Sequence, residues 1–274
     1  MALLQRWRIE RDPGDKLLDD HRPGGAPLLG TVANLETIAE ALADWIADQT
    51  LVAIDDIVLG PALVFATDAP ITVDVVAEMR TDGSIEARSS THSSPAPHLA
   101  ATFHLADHFA PAPGFDAPAL TPGAVSGEEI YSCLFHGPAY RVIDRAERQG
   151  ERLFARAAMR LPPLRRGSSA SPIAARAIEF GLQAAGLLQL ALDGSMAIPL
   201  RIARITRFAE TDVGGGALLH ARTERSTDGT FDIVVGHAGS VVAHIAGYAT
   251  TPLPFAHDDR AAGVLADRLN RVSR

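Results

Sequence analysis

Two stretches of the chain carry apolar residues at helical spacing, and much of the rest alternates between turn signals. Val32 to Ile46 is rich in alanine and leucine with apolar positions three and four apart, and Thr31 stands as its N-cap. Ala174 to Leu192 reads the same way after Ser171-Pro172. In the first half the runs Leu51–Leu59, Ala62–Ala66, Ile71–Arg80, Ile85–Ser90 and Ala100–Leu105 are β-branched or alternate with period two, which predicts strands. In the second half Ile198–Phe208, Leu218–Arg225, Phe231–Gly236 and Val241–Ala249 have the same character. The pairs Asp82-Gly83 and Asp228-Gly229 predict hairpin turns.

The two halves resemble each other. Leu35-Glu36-Thr37-Ile38-Ala39-Glu40-Ala41 parallels Ile178-Glu179-Phe180-Gly181-Leu182-Gln183-Ala184, and Thr81–Glu86 parallels Thr227–Asp232. Either likeness alone is common. Their recurrence in order at nearly one spacing predicts two copies of one fold. One long helix wrapped by an antiparallel sheet is the hot-dog arrangement, so the expected class is α+β, a double hot dog. The expected layout is a first copy over residues 1–110, a linker over 111–127 and a second copy over 128–255. A helical tail is expected over 256–274. The linker contains Pro111, Pro113, Pro118 and Pro122; Glu128 to Leu161 supplies the opening strands of the second copy; the tail shows an apolar stripe of Val264, Leu265, Leu269 and Val272.

Composition narrows the class further. The chain of 274 residues is 47% hydrophobic, enough for a sizeable core. No apolar run reaches membrane-spanning length, and the start lacks a signal-peptide pattern. Cys133 is the lone cysteine, which fits packing in a reducing compartment, and a cytoplasmic location is expected. The net charge of −8 argues against nucleic acid as a partner.

Three segments then resemble the dehydratase domain of type I polyketide and polyunsaturated fatty-acid synthases, over about Leu17 to Pro254. The first is His21, Gly25 and Gly30, with Gly30 where the family has proline. The second is Phe135-His136-Gly137-Pro138-Ala139-Tyr140, with His136 in place of a tyrosine. The third is Glu179 and Gln183 on the second helix, with glutamate in place of aspartate and Ala174-Ala175 where the family has His-Pro. The resemblance implies a hydro-lyase that converts a 3-hydroxyacyl thioester into a trans-2-enoyl thioester in polyketide or fatty-acid synthesis. The substrate would ride on the phosphopantetheine of an acyl carrier protein. No metal or redox cofactor would be needed. Neighbouring synthase domains and a second copy of the chain are the other implied partners.

Such an elimination needs a base at C2, an acid at the C3 hydroxyl and donors to the thioester oxygen. By the resemblance His21 is the base and Glu179 the acid, with Gln183 one turn later to orient it. The acid role calls for a raised carboxyl pKa, which the apolar neighbours of Glu179 would supply. The amides at Gly30, Thr31 and Val32 open the first helix and suit the thioester oxygen. His136, Gly137, Pro138 and Tyr140 complete the expected substrate contacts. In a tandem copy the first half can keep the base and the second half the acid. The counterpart of His21 falls near Arg165, and that of Glu179 is Glu36, so one composite site is expected. Other readings stay open: a degenerate module that only binds acyl chains or spaces its neighbours, or an isomerase or cyclase on the same fold. The alternative for Glu179 is a helix residue paired with Arg176 or a nearby arginine. His104 and His108 sit on a predicted strand, where a spacing of four does not converge on a metal. Arg165, Arg166, Arg201, Arg204 and Arg207 read as solvated, or as a docking patch for an acidic carrier.

Overall fold

The computed structural model of the chain describes residues 3–43, 45, 48–65, 69–117, 119–162, 171–212, 216–253 and 258–271. The first copy contains β1 (Leu3–Arg11), α1 (Lys16–Asp19), β2 (Leu28–Leu29), α2 (Thr31–Ala41), β3 (Thr50–Leu59), β4 (Leu63–Val64), β5 (Ile71–Met79), β6 (Ile85–Thr91) and β7 (Ser94–Ala106). The second contains β8 (Val125–Ser126), α3 (Gly127–Tyr131), β9 (Ile143–Gln149), β10 (Arg152–Ala157), α4 (Ala175–Asp193), β11 (Ala197–Arg207), β12 (Leu219–Arg225), β13 (Phe231–His237) and β14 (Ser240–Pro252). A last helix, α5, spans Asp259–Arg271.

Twelve strands form one antiparallel sheet in the order β1-β5-β6-β7-β3-β11-β14-β13-β12-β10-β9-β8. The copies meet where β3 pairs with β11, with Ile54 opposite Ile205 and Ile57 opposite Ile202. All four isoleucines are buried there, so the hydrophobic core is continuous across the join. Alternation sets the inner face: Ile85 and Ala87 of β6, and Leu219 and Ala221 of β12, point inward. The helices α2 and α4 lie against strands of their own halves and touch each other. Both are buried on nearly every side. A polar side chain on either helix is therefore forced into the interior, where it must find a partner.

The two Asp-Gly turns are built alike. Gly83 and Gly229 have φ of 84° and 83°. Asp82 Oδ1 accepts from Ser84 N at 2.9 Å, and Asp228 Oδ1 accepts from Thr230 N at 3.0 Å. This shared local geometry supports the duplication read from the sequence.

Several boundaries differ from expectation. Thr31 is not the N-cap of α2 but its first residue. Gly30 is the cap, because the helical ladder begins with Asn34 N donating to Gly30 O at 2.9 Å. The helix stops at Ala41, and Ile46 lies outside the described residues. Of the expected strand Ala62–Ala66 only Leu63–Val64 pairs, with Leu28–Leu29; Ala66 lies outside the described residues. The strand β1 was not anticipated. Its sequence LLQRWRIER is dominated by polar residues because it forms the sheet edge, with only Arg11 fully buried. In the linker, Phe115 N donates to Gly239 O and Val241 N to Pro113 O, tying it to the β13–β14 hairpin; Pro118 lies outside the described residues. The tail helix exists, but its buried stripe is Ala262, Leu265, Ala266 and Leu269 against α4. Val264 is 65% exposed, since it falls off that face, and Val272 lies outside the described residues. Cys133 is half-buried, and burial raises its thiol pKa, in keeping with packing. Among the described residues no helix is long and apolar enough to cross a membrane.

Candidate active site

His21 follows the single turn of α1, and Pro23–Gly25 then folds the chain back under it. Its main-chain carbonyl accepts from Leu28 N at 3.0 Å, and its ring Nδ1 lies 3.0 Å from the Leu28 carbonyl. A carbonyl can only accept, so Nδ1 carries the hydrogen and Nε2 is left with a lone pair. Gly30 lies against the ring. A Cβ there would stand 2.8 Å from His21 Cε1 and 3.0 Å from Nε2. The φ of Gly30, −66°, is the value a proline would impose. The backbone at Gly30 thus stays compatible with a proline, and the missing Cβ leaves room for the imidazole. Burial, then the charge of His136, lowers the His21 pKa to about 4, so the ring is neutral at neutral pH.

The loop of the second copy is stitched to His21. Gly137 N donates to Asp20 O at 2.7 Å, and Ala139 N donates to Asp20 Oδ2 at 2.7 Å. His21 and His136 form an isolated antiparallel bridge. Gly137 is required by this approach, because a Cβ would fall 2.7 Å from Asp20 Cβ. The His136 ring stacks on Phe135 with centroids 4.3 Å apart, and it lies 5.5 Å from the His21 ring.

Glu179 and Gln183 project from α4 toward this loop. Gln183 Nε2 donates to Glu179 Oε1 at 2.8 Å and to the Tyr140 carbonyl at 3.0 Å. Gln183 Oε1 accepts from the Tyr131 hydroxyl at 2.7 Å, and that hydroxyl accepts from Ile143 N at 2.8 Å. His136 Nε2 lies 3.4 Å from Glu179 Oε1. Arg176 does not take Glu179 as its partner; its guanidinium donates to the Pro162 carbonyl.

The charge state of Glu179 corrects the expectation of a raised pKa. Burial, the largest influence, pushes it up. The neighbouring His136, the charge of His21 and the Gln183 amide together outweigh burial and hold the carboxyl below its usual range. These contacts favour Glu179 as a carboxylate at neutral pH.

His21, His136, Glu179 and Gln183 line one cavity of about 190 Å³, running between the two copies. Leu182, Leu187 and Ile198 are among its apolar walls. Gly30 and Thr31 also border it, whereas Val32, Gly137, Pro138 and Tyr140 are not among its lining residues. Val32 is buried in the core instead. Gly137 and Pro138 shape the loop behind His136, and Tyr140 supports Gln183 through its carbonyl. The amides of Thr31 and Val32 lie ahead of the helical ladder of α2, as expected of a helix start.

On the mirror side Glu36 accepts from the Ser171 hydroxyl at 2.8 Å and Glu40 from Arg11 at 2.7 Å. Arg165 and Arg166 lie outside the described residues. Arg207 is not a solvated residue. It is buried and donates to the carbonyls of Leu51 and Pro172. Arg204 pairs with Asp55, and His104 lies 3.0 Å from the same carboxylate. Sequence reasoning missed Tyr131 and Asp20. Nothing in the local pattern marks Tyr131; Asp20 stands beside His21 but reads as an ordinary surface acid.

The family model described as "Polyketide synthase dehydratase N-terminal domain" matches residues 117–260, just over half of the chain. Polyketide synthase ThaG of Burkholderia thailandensis is 30% identical over 276 residues, an alignment covering 90% of this chain and 4% of that protein. The chain therefore spans a small fraction of that relative. A trans-AT polyketide synthase dehydratase domain from Brevibacillus brevis superposes with a TM-score of 0.71 at 20% identity, covering 89% of this chain and 94% of that one. The dehydratase domain from the CurF module of the curacin polyketide synthase gives 0.70 at 17% identity, covering 91% and 94%. The dehydratase domain of RzxB from Pseudomonas fluorescens gives 0.69 at 20% identity, covering 90% and 94%. Together with the double hot-dog fold these matches establish that the chain belongs to the polyketide synthase dehydratase family.

Proposed function

We propose that this chain removes water from a (3R)-hydroxyacyl thioester and releases the trans-2-enoyl thioester, as one step of polyketide assembly. The observation that carries this reading is the meeting of a neutral imidazole from one copy and a carboxyl from the other on a single apolar cavity. His21 Nε2, held as an acceptor by the Nδ1 bond to Leu28, takes the C2 proton. The C2–H electron pair becomes the C2–C3 double bond, and the C3–O bond breaks. Glu179, steered by Gln183, faces the departing hydroxyl. The amide of Thr31, which borders the cavity at the positive end of α2, binds the thioester oxygen as charge develops there. The contacts of Glu179 favour its ionised form, so the proton for the hydroxyl has to come from those contacts.

The substrate class follows from the cavity: a narrow apolar channel with few polar groups suits an acyl chain. Its carrier would be the phosphopantetheine arm of an acyl carrier protein, and no metal or redox cofactor has a part in the chemistry. Neighbouring synthase domains and a second copy of this chain are the remaining proposed partners, in the cytoplasm. The test is incubation with 3-hydroxyacyl pantetheine or carrier-protein thioesters of several lengths, followed by mass spectrometry. The expected product has lost one water and shows the conjugated enoyl absorbance. A folded protein that neither dehydrates these thioesters nor hydrates the enoyl product overturns the reading.

A further inference from the structure

The proton that Glu179 lacks has few possible sources. Gln183 is a donor to the carboxylate but has no proton to release. The Tyr131 hydroxyl is committed to Gln183, and burial raises its pKa far above neutrality. Burial raises that of Tyr248 on β14 likewise. From α4, Arg176 is turned to the Pro162 carbonyl. From the loop behind His136, Arg141 donates to the His136 carbonyl and lies over the Tyr131 ring. Asp20 is held by the Ala139 amide. His21 must stay neutral to act as base. His98 borders the same cavity, but both its ring nitrogens are engaged, by the Thr91 hydroxyl and the Pro61 carbonyl. Among the described residues this leaves His136, whose Nε2 stands 3.4 Å from Glu179 Oε1. Both side chains are buried, 8% and 11% exposed, so bulk water does not compete for the proton between them. The His136 Nδ1 is buried with no hydrogen-bond partner, which leaves the ring's contact with Glu179 as its polar attachment.

We propose that His136 and Glu179 act as one acid, holding between Nε2 and the carboxylate the proton that the departing hydroxyl receives. The inference rests on the dehydratase reading. In the step itself the C2 proton goes to His21 Nε2, the C2–H pair forms the double bond, and the C3–O pair leaves on oxygen. That oxygen takes the shared proton and departs as water. The site is left with a protonated His21 and a proton-poor His136–Glu179 pair. Return of one proton from His21 to the pair restores the starting state, over a ring separation of 5.5 Å.

A shared proton separates two quantities that coincide for a lone carboxylic acid. A coupled pair cannot hold its last proton more weakly than the carboxyl would hold it beside a neutral partner. Catalysis therefore persists to a pH above that at which the carboxyl itself ionises. The experiment compares the Glu179 side-chain carboxyl titration, followed by carbon NMR on selectively labelled free protein, with the alkaline limb of kcat/KM. That limb reports groups of the free enzyme. In the native chain the limb is expected about one pH unit or more above the carboxyl midpoint, at least a tenfold difference in proton affinity. In His136→Gln the carboxyl midpoint moves up, the limb moves down, and the two coincide; His136→Phe serves if the glutamine variant does not fold. Coincidence of midpoint and limb in the native chain overturns the shared acid and leaves the dehydratase reading standing. Absence of any turnover by the native chain overturns both.

Discussion

Tyr131→Phe tests the support beneath the acid. The ring stays and no cavity opens, so the change removes only an oxygen. That oxygen donates to Gln183 Oε1 at 2.7 Å and accepts from Ile143 N at 2.8 Å, with both partners buried. Its loss strands one buried acceptor and one buried donor. Each stranded group costs about 1–3 kcal/mol, so the variant should be less stable by roughly 2–6 kcal/mol. For a chain near this size that is a fall in Tm of about 4–24 °C. Gln183 also loses the bond that fixes its amide orientation, and with it the aim of Nε2 at Glu179. A drop in kcat of about tenfold with little change in KM is expected, since misplacing the acid acts on the transition state. Differential scanning calorimetry and thioester dehydration kinetics provide the two readouts. A Tm within a degree of the native value, with kcat unchanged, would refute the argument that this hydroxyl anchors the network.

Gly30→Ala places a methyl within 3 Å of the His21 ring and should lower kcat/KM by tenfold or more with little loss of stability, because φ at this position suits alanine; native turnover would show that the ring can yield without penalty. Asp20→Ala removes the acceptor of Ala139 N and loosens the loop carrying His136; a loss of about 1–3 kcal/mol in urea denaturation is expected, and an unchanged midpoint would contradict the stitching. The folded pKa of His21, about 4, lies below the ordinary 6.5, so the unfolded chain binds this proton first as pH falls. Stability tied to His21 is full above about pH 6.5 and is lost as pH falls toward 4, by on the order of 3 kcal/mol. Comparing pH-dependent denaturation of the native chain and His21→Phe should isolate this slope, and parallel curves would argue against a buried neutral imidazole.

Much of the architecture was legible because burial writes itself into periodicity. The two central helices were read from uninterrupted apolar spacing, and the inner strands from alternation. The edge strand β1 escaped because an edge buries little. The helix α5 was foreseen but its face was misplaced, since alanines at 262 and 266 pack as well as leucines and carry a weaker signal. At the site, His21, Glu179 and Gln183 were found through the resemblance to the dehydratase motifs, and the structure brings them to one cavity. The charge on Glu179 was not legible. Apolar neighbours along the helix suggested a protonated acid, but the deciding groups, His136 and His21, are remote in sequence. Tyr131 was invisible for the same reason: its role comes from a bond to a residue on another element.

The proposed base and acid, one from each copy, act as a single catalytic unit. Dehydration of a 3-hydroxyacyl thioester by the native chain, His21→Phe, Glu179→Gln and the double variant tests it most directly. Each single change should reduce kcat about as far as both together, because neither residue works without the other. Native turnover in either single variant, or losses that multiply in the double, would contradict it.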